Sequence, residues 1–230
     1  MHQKLPTKAH QIHIESRVTF NKHFKITMHL DFKELSSGQT YFTMIQTIIP
    51  RPIAWVLSEN SSGSFNLAPF SYFTAVSSDP ALLMFSIGKK NSNENKDTLE
   101  NIRLRNQFVV HIADTSLSKE LNQSAALLPY GKSEVDSIGL QTVDFENFSL
   151  PRLDKAKVAF ACSLYEVKQI GNQPMSLVFG EVHQAFIHDD IIQYNGERIK
   201  VDAQKLDPLA RLGGNDYSAI AEPFTLERPK

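Results

Sequence analysis

The sequence has little of what several classes of protein require. Its single cysteine, Cys162, excludes an internal disulfide framework and suits a reducing cytosol. No apolar run approaches the roughly 20 residues that a membrane-spanning helix needs. The formal net charge is −1, so no overall field attracts nucleic acid or an anionic membrane. These absences predict a cytoplasmic protein that binds neither nucleic acid nor membranes, with Cys162 as a buried, inert thiol.

Several enzyme motifs are also missing. No Gly-x-Gly-x-x-Gly follows a predicted strand, so the usual dinucleotide-binding fold is unsupported. Residues 131–133, Gly-Lys-Ser, resemble the end of a nucleotide phosphate loop, but Ala126 stands where that loop needs a glycine. Ser86 and Lys89 form a Ser-x-x-Lys pattern without the partner motifs of a serine acyl enzyme. The histidines lack metal-ligand spacing, and no metal site is predicted.

The 230 residues can bury one substantial core, and a second full domain is not needed. Residues 1–27 differ from the rest, because they carry five lysines or arginines against one glutamate, together with four histidines. They contain no apolar core of a secretory signal. We interpret them as a leader or an extension of uncertain status, with Met28 as an alternative start. Residues 28–230 are predicted to form a single domain.

Short apolar runs separated by turn residues predict a mainly antiparallel β protein. The predicted strands are 53–58, 65–68, 81–87, 107–113, 157–168 and 177–188, with a weak strand at 140–143. The predicted helices are 97–105 and 117–127, with a turn of helix around 40–46 and a short helix within 206–217. Six or seven strands with two or three helices indicate a β-barrel with appended helices rather than an alternating parallel sheet.

Prolines shape the first half of the chain. Pro50 and Pro52 are expected to hold the backbone extended before the strand at 53–58. Pro69 is expected to stop the strand that begins at residue 65 and so to free neighbouring backbone groups. Ala68 is small enough to admit a flat aromatic ring, and Ser71 can hydrogen-bond that ring or its side chain. The alternative is a proline-ended strand with aromatic core residues.

The start of the predicted helix 97–105 is suited to binding a phosphate. Asp97 is predicted as the N-cap, and the first-turn amides and the Thr98 hydroxyl can donate to an anion. Lys96 brings positive charge, and Arg51 is a second candidate cation. Flavin mononucleotide (FMN) requires such a donor set for its phosphate. Glu100 competes for the same helix pole, and a capped surface helix with solvated lysines is the alternative interpretation.

Four motifs occur in one order along the chain. They are Pro50-Arg51-Pro52-Ile53-Ala54-Trp55-Val56, Asn66-Leu67-Ala68-Pro69-Phe70-Ser71, Lys96-Asp97-Thr98-Leu99-x-Asn101-Ile102 and Arg211-Leu212-Gly213-Gly214-x-x-Tyr217. Over roughly residues 28–222 the sequence therefore resembles the flavin reductase-like family of FMN-binding split-barrel proteins.

The resemblance implies an antiparallel FMN-binding split barrel and a homodimer with the flavin near the subunit interface. It implies that the flavin site is lined by Arg51, Pro52, Ile53, Ala54, Asn66, Leu67, Ala68, Pro69, Phe70, Ser71, Ser86, Lys89, Lys96, Asp97 and Thr98. Arg211 and Tyr217 match the family's tail motif. Two roles stay open for them: flavin contacts, within a subunit or across the dimer, and an ordered C-terminal latch.

The resemblance also implies an FMN-dependent oxidoreductase. NADH or NADPH would pass hydride to the flavin N5, and the electrons would go on to oxygen, a partner monooxygenase, a metal ion or another acceptor. His188 is a candidate for the nicotinamide side, and a satisfied core or rim histidine is the alternative. A flavin-binding electron carrier and a non-catalytic split-barrel module are the two other functions that stay open.

Overall fold

The structure is a computed structural model that describes residues 28–91, 94–172, 175–196 and 198–229. The predicted leader, residues 1–27, lies outside the described residues. Internal contacts divide the chain into two units, and the boundary along the chain falls between Thr40 and Tyr41. The single domain expected over residues 28–230 stays a prediction.

The described part of the first unit runs from residue 28 to residue 40 and enters helix α1, Ser37–Thr47. Ser36 and Gln39 form a reciprocal cap there. The Ser36 N–H donates to the Gln39 Oε1 at 2.9 Å, and the Gln39 N–H donates to the Ser36 Oγ at 3.3 Å. This cap sets the start of a helix that begins earlier than the predicted turn at 40–46.

The second unit contains the remaining elements. Its strands are β1 Ala54–Glu59, β2 Phe65–Phe70, β3 Phe73–Ser78, β4 Ala81–Ile87, β5 Gln107–Ile112, β6 Thr142–Val143, β7 Arg152–Leu153, β8 Val158–Ile170, β9 Met175–Ile187, β10 Ile192–Asn195, β11 Arg198–Val201, β12 Ala210–Arg211 and β13 Tyr217–Ser218. Its helices are α2 Asp97–Arg105, α3 Ser118–Gln123, α4 Glu134–Ile138 and α5 Ala203–Leu206. No helix of the described ranges is long and apolar enough to cross a membrane.

Seven strands form one sheet in the order β2-β1-β5-β8-β9-β4-β3, and every neighbouring pair is antiparallel. The sheet curls, since the Phe70 ring on β2 lies 5.4 Å from the Phe85 ring on β4. The Ser86 N–H donates to the Tyr72 carbonyl at 2.9 Å, which extends the β3–β4 pairing by one residue pair. This architecture confirms the prediction of an antiparallel barrel with appended helices.

Alternating side chains of the strands build two cores, one on each face of the sheet. Trp55 and Leu57 of β1 pack in one core, below α3 and α4. Ala54 and Val56 point the other way, into a core that also contains Cys162. Burial raises the pKa of the Cys162 thiol far above its ordinary value, so the thiol is buried and unreactive, as predicted. The α2 helix covers this second core with Leu99 and Ile102.

Several predicted element boundaries were wrong. Pro69 does not stop its strand, because β2 continues to Phe70 with Pro69 opposite Trp55. An edge strand tolerates proline where the missing N–H would point away from the sheet. The helix expected within 206–217 ends at Leu206, because Asp207 turns left-handed at φ 48° and Pro208 follows. Residues 210–218 form the β12–β13 hairpin instead.

Shorter elements also differ from the prediction. The helix expected at 117–127 is limited to α3, which a 3-10 turn precedes. Strand β3 and helix α4 were not predicted. The N-cap of α2 is Lys96 rather than Asp97, whose carboxylate lies near the Lys90 ammonium instead.

Candidate functional site

A cleft opens beside the outer edge of β2, where the start of α2 faces the segment 124–128. Its enclosed volume is about 70 Å³, and its mouth is open to solvent. Six of the predicted site residues line it: Asn66, Ala68, Pro69, Lys96, Asp97 and Thr98. Lys90, Ser124 and Glu134 are further polar residues of the wall.

The α2 end of the cleft has the donors that an anion needs. No acceptor for the Asp97 and Thr98 N–H groups lies within the described residues, and no side chain caps this helix end. The Lys96 ammonium lies 5.6 Å from the centre of the Phe70 ring and forms no ion pair with any described carboxylate. Burial lowers its pKa below the ordinary value, so a bound anion would stabilise the charged form.

Carboxylates near this end are occupied by other partners. Asp97 accepts from the Lys90 ammonium at 3.5 Å and from the Gly131 N–H at 3.4 Å. Glu100, the expected competitor for the helix pole, accepts from the Asn95 side-chain amide instead. The backbone amides of the first helical turn therefore stay directed at the cleft.

Glu134 is a site residue that the sequence did not reveal. It begins α4, after Ser133 has capped that helix, and it is only 7% exposed. Its Oε2 accepts from the Leu67 N–H at 3.0 Å, across the outer edge of β2. Burial raises the pKa of this carboxyl, and the charge of Asp97 adds to the effect.

The bond to Glu134 shows which backbone groups of β2 face outward. The Leu67 N–H points away from β1, and residues two apart on a strand share a direction. Phe65 fits this pattern, since its carbonyl accepts from the Ser133 hydroxyl at 2.8 Å. Pro69 has the same parity, so it lies at an outward-facing position. The β2 edge thus directs alternate backbone groups outward without any break in the strand, and Glu134 and Ser133 occupy two of them.

Lys90, rather than its neighbour Lys89, lies in the cleft. The Lys90 ammonium lies 3.5 Å from Asp97 and donates to the Leu128 carbonyl at 3.2 Å. Lys89 is exposed and pairs through its backbone with Asn95. A lysine pair at the end of β4 was visible in the sequence, but the sequence did not show which member faces the cleft.

Arg51 is not among the cleft-lining residues. Its guanidinium is 5% exposed and donates to three backbone carbonyls: those of Ile45 at 2.6 Å, Ile48 at 2.7 Å and Leu212 at 2.8 Å. The Arg51 Nε lies 3.4 Å from the Ser71 Oγ. Arg51 therefore joins the end of α1 to the tail of the chain. Ser71 is hydrogen-bonded to this arginine and, like it, is not among the residues that line the cleft.

The tail motif makes contacts of the latch type. The Arg51 and Arg211 backbones pair through two hydrogen bonds of 3.0 and 2.9 Å. The Arg211 guanidinium stacks 4.4 Å from the centre of the Tyr217 ring and donates to the Gly214 carbonyl. The Tyr217 hydroxyl donates to the Asn122 side chain at 3.2 Å. A flavin contact by either residue stays a prediction.

The remaining predicted residues are placed as follows: the Ile53, Ala54, Leu67 and Phe70 side chains are in the cores, Ser86 is 8% exposed within β4, and Pro52 is exposed. His188 is exposed, and its Nδ1 accepts from the Asp190 N–H at 3.3 Å. This contact caps a 3-10 turn and fits the rim alternative. Within the described residues, no group of three or more His, Cys, Asp and Glu side chains is placed to hold a metal ion.

Comparison with known proteins gives the family. The sequence profile of the flavin reductase like domain matches residues 46–200. The nitrilotriacetate monooxygenase component B of Bacillus cereus superposes with a TM-score of 0.81 at 31% identity, over 88% of this chain and 100% of that chain. The 2-nitrobenzoate 2-nitroreductase of Pseudomonas fluorescens gives 0.78 at 30% identity, over 88% and 96%.

A split-barrel protein of Shewanella frigidimarina gives a TM-score of 0.76 at 18% identity, over 88% of this chain and 100% of that chain, and it shows the fold alone. The predicted split barrel is thereby confirmed. Since the family profile matches about two thirds of the sequence, the chain belongs to the flavin reductase-like family.

Proposed function

We propose that this chain binds FMN in the cleft and acts as an NAD(P)H-dependent flavin oxidoreductase. The observation that supports it most is the unpaired Lys96 ammonium beside the two free amides of α2. A phosphate accepts from amides and pairs with an ammonium, so these groups fit the flavin's charged end. When bound, the flavin supplies the hydride and electron chemistry.

The chain's own residues then have defined tasks. Lys96, Thr98 and the first-turn amides of α2 hold the phosphate. Glu134 already occupies the Leu67 N–H, and Pro69 has no N–H, so the outward carbonyls of these two residues are the β2 groups available to the polar edge of the ring. Ala68 and Pro69 are its apolar contacts. These carbonyls would orient the ring, and the flavin itself would supply the hydride chemistry.

The two neighbours at 30–31% identity support an oxidoreductase. One is a component of a monooxygenase and the other is a nitroreductase. We therefore propose NADH or NADPH as the electron donor, and either a partner monooxygenase or a small-molecule acceptor for the electrons. The cytoplasmic location stays a prediction.

We also propose a homodimer with the flavin near its interface. No residue of α1 is buried in the single chain. Tyr41 and Phe42 of this helix, and Ile48 directly after it, are each more than half exposed. An exposed apolar helix face of this kind is typical of a surface that a second subunit covers. Sedimentation of the full-length protein measures the mass directly, and a monomer at micromolar concentration would contradict the proposal.

The first test is the visible spectrum of the purified protein, followed by anaerobic mixing with NADH and, separately, with NADPH. We expect the flavin band at roughly 450 nm to be lost at a catalytic rate. A flavin that does not bleach with either donor would favour the electron carrier. A colourless protein that takes up no added FMN would contradict flavin binding itself.

The second test separates the phosphate site from overall stability. Lys96→Ala and Thr98→Ala should each weaken FMN binding by roughly tenfold, since each removes one charge-assisted contact. Lys168→Ala, at an exposed position of β8, is the matched control. If both cleft variants purify with full flavin, the phosphate assignment is wrong.

A further inference from the structure

A buried polar cluster lies directly under the anion end of the cleft. It consists of Ser58, Asn60, Asn66, Thr98 and Asn101, each no more than 3% exposed. The Asn101 amide donates to the Asn60 Oδ1 at 2.9 Å and to the Ser58 Oγ at 3.2 Å. The Asn66 amide donates to the same Ser58 Oγ at 3.2 Å and to the Thr98 Oγ1 at 2.9 Å. The cluster thus connects the β1–β2 hairpin to α2.

The bond between Asn66 and Thr98 has a fixed direction. The side-chain Nδ2 of asparagine can only donate, so the Thr98 oxygen accepts. A hydroxyl has one hydrogen, and that of Thr98 has no acceptor among the described residues. Thr98 lines the cleft, between the free amide of Asp97 and the body of the helix. The remaining direction for its hydrogen is toward the cleft.

We infer that Asn66 is a positioning residue that acts through Thr98: by donating to the Thr98 oxygen, it reserves the Thr98 hydroxyl hydrogen for a phosphate oxygen bound at the start of α2. This inference rests on the proposed function and gives Asn66 a role other than direct flavin contact. It also explains why Asn66, which lies on β2 beside the cleft, directs its side-chain N–H groups at the buried hydroxyls of Ser58 and Thr98. The effect is specific for the phosphate, because the ring of the flavin does not need this hydrogen.

Asn66→Asp tests the direction of the bond with almost no change in shape. The ionised carboxylate can only accept, so the Thr98 hydroxyl would turn toward it and away from the ligand. Kd values for FMN and for riboflavin, which lacks the phosphate, are measured by flavin fluorescence on flavin-free full-length protein at pH 8. We expect FMN to bind roughly tenfold or more weakly, since a hydrogen bond to a charged group is lost. We expect riboflavin binding to change less than about twofold, because it lacks that bond.

Asn101→Asp is the matched control. It is the same substitution at a position that is 1% exposed, and the Asn101 side chain forms hydrogen bonds with Ser58 and Asn60 rather than with Thr98. It should leave the ratio of FMN affinity to riboflavin affinity unchanged. Thr98→Val should lower the ratio as Asn66→Asp does, and the double variant should lower it no further. Asn66→Ala, which removes the donor without adding a charge, is measured if Asn66→Asp does not fold, and it should also lower the ratio.

The outcomes separate the inference from the proposed function. If the unsubstituted protein binds neither flavin, the proposed function fails and the inference fails with it. If it binds FMN but the Asn66 variants keep the same ratio, the inference alone is wrong. Equal losses of FMN and riboflavin affinity would also overturn it, because they would show a general disturbance of the cleft.

Discussion

Folding stability should fall steeply below neutral pH because of one buried histidine, His111. Its side chain is fully buried, and it is the penultimate residue of β5. The Leu153 N–H donates to its Nε2 at 3.0 Å, which leaves Nδ1 to carry the proton and donate to the Trp55 carbonyl at 3.1 Å. A second proton on Nε2 would face the Leu153 N–H. The site therefore holds a neutral imidazole with one defined tautomer.

Burial lowers the pKa of His111 from 6.5 to about 4. Between these two values the unfolded chain binds the extra proton and the folded chain does not, so stability rises with pH across this range. In the other direction, stability is lost as pH falls below about 6.5. At 1.36 kcal/mol per pKa unit, the shift corresponds to about 3 kcal/mol, most of it lost by roughly pH 4.5.

Urea unfolding of the unsubstituted protein and of His111→Gln, measured from pH 7.5 to 4.5, checks this magnitude. The variant should be the less stable at pH 7.5, because two buried partners lose their hydrogen bond. The difference should shrink by about 2–3 kcal/mol at the acid end, since the variant has no imidazole to protonate. His183→Gln, at an exposed position of β9, controls for the loss of a histidine as such. A difference for His111→Gln that is constant with pH would refute the reasoning.

Three further predictions follow from contacts near the cleft. Arg51→Met should lower the free energy of unfolding by about 2–4 kcal/mol, because it leaves three carbonyls without their donor, and a loss below about 1 kcal/mol in urea unfolding would contradict this role. Gly213→Ala should lower the free energy of unfolding by less than about 1 kcal/mol, because its Cβ would meet only the end of the flexible, exposed Gln46 side chain, which can move aside; a loss above about 2 kcal/mol in urea unfolding would contradict this. Glu134→Gln keeps an acceptor for the Leu67 N–H but removes a negative charge, so it should strengthen FMN binding by roughly threefold to tenfold. This gain should increase as pH rises, because the raised pKa of Glu134 leaves its carboxyl partly neutral at lower pH, and a gain independent of pH would contradict it.

The pattern of apolar residues predicted the strands that are buried in the sheet. The runs at 53–58, 107–113 and 157–168 are apolar where the sheet packs between two cores, and the structure has strands there within two residues. Strand β3 was missed, because five of its six residues are exposed and no alternation of polarity marks it. Helix α4 was missed, because five residues are too few to show a helical period.

The predicted residues that line the cleft belong to two short stretches of sequence, 66–69 and 96–98. Lys96, Asp97 and Thr98 are consecutive, and a helix start brings them together wherever the helix lies. Glu134 is 67 positions beyond Leu67, and only the approach of α4 to the edge of β2 makes them neighbours. No spacing rule connects residues across such a distance.

Arg51 shows that residue type alone does not identify a phosphate contact. An arginine close to the predicted flavin motifs was a reasonable second cation, because guanidinium groups pair well with phosphate. The same five donors also suit backbone carbonyls, and the structure uses them to join α1 to the tail. Removal of Arg51 should then cost folding stability, whereas removal of Lys96 should cost FMN affinity.

The position of β2 at the end of the sheet accounts for the chemistry of the cleft. In a central strand the outward N–H of Leu67 would pair with a neighbouring strand, and Pro69 would cost a hydrogen bond. At the edge the Leu67 N–H is free to bind the Glu134 carboxyl, and Pro69 costs nothing on its open side. The side chain of Asn66 lies on the opposite face of β2 from that of Leu67, and its amide donates to Ser58 and Thr98. One strand therefore supplies both the open backbone edge that faces a ligand and the buried amide that orients the hydroxyl of Thr98. A further strand paired with β2 would cover the open edge, but it would leave the bond between Asn66 and Thr98 in place.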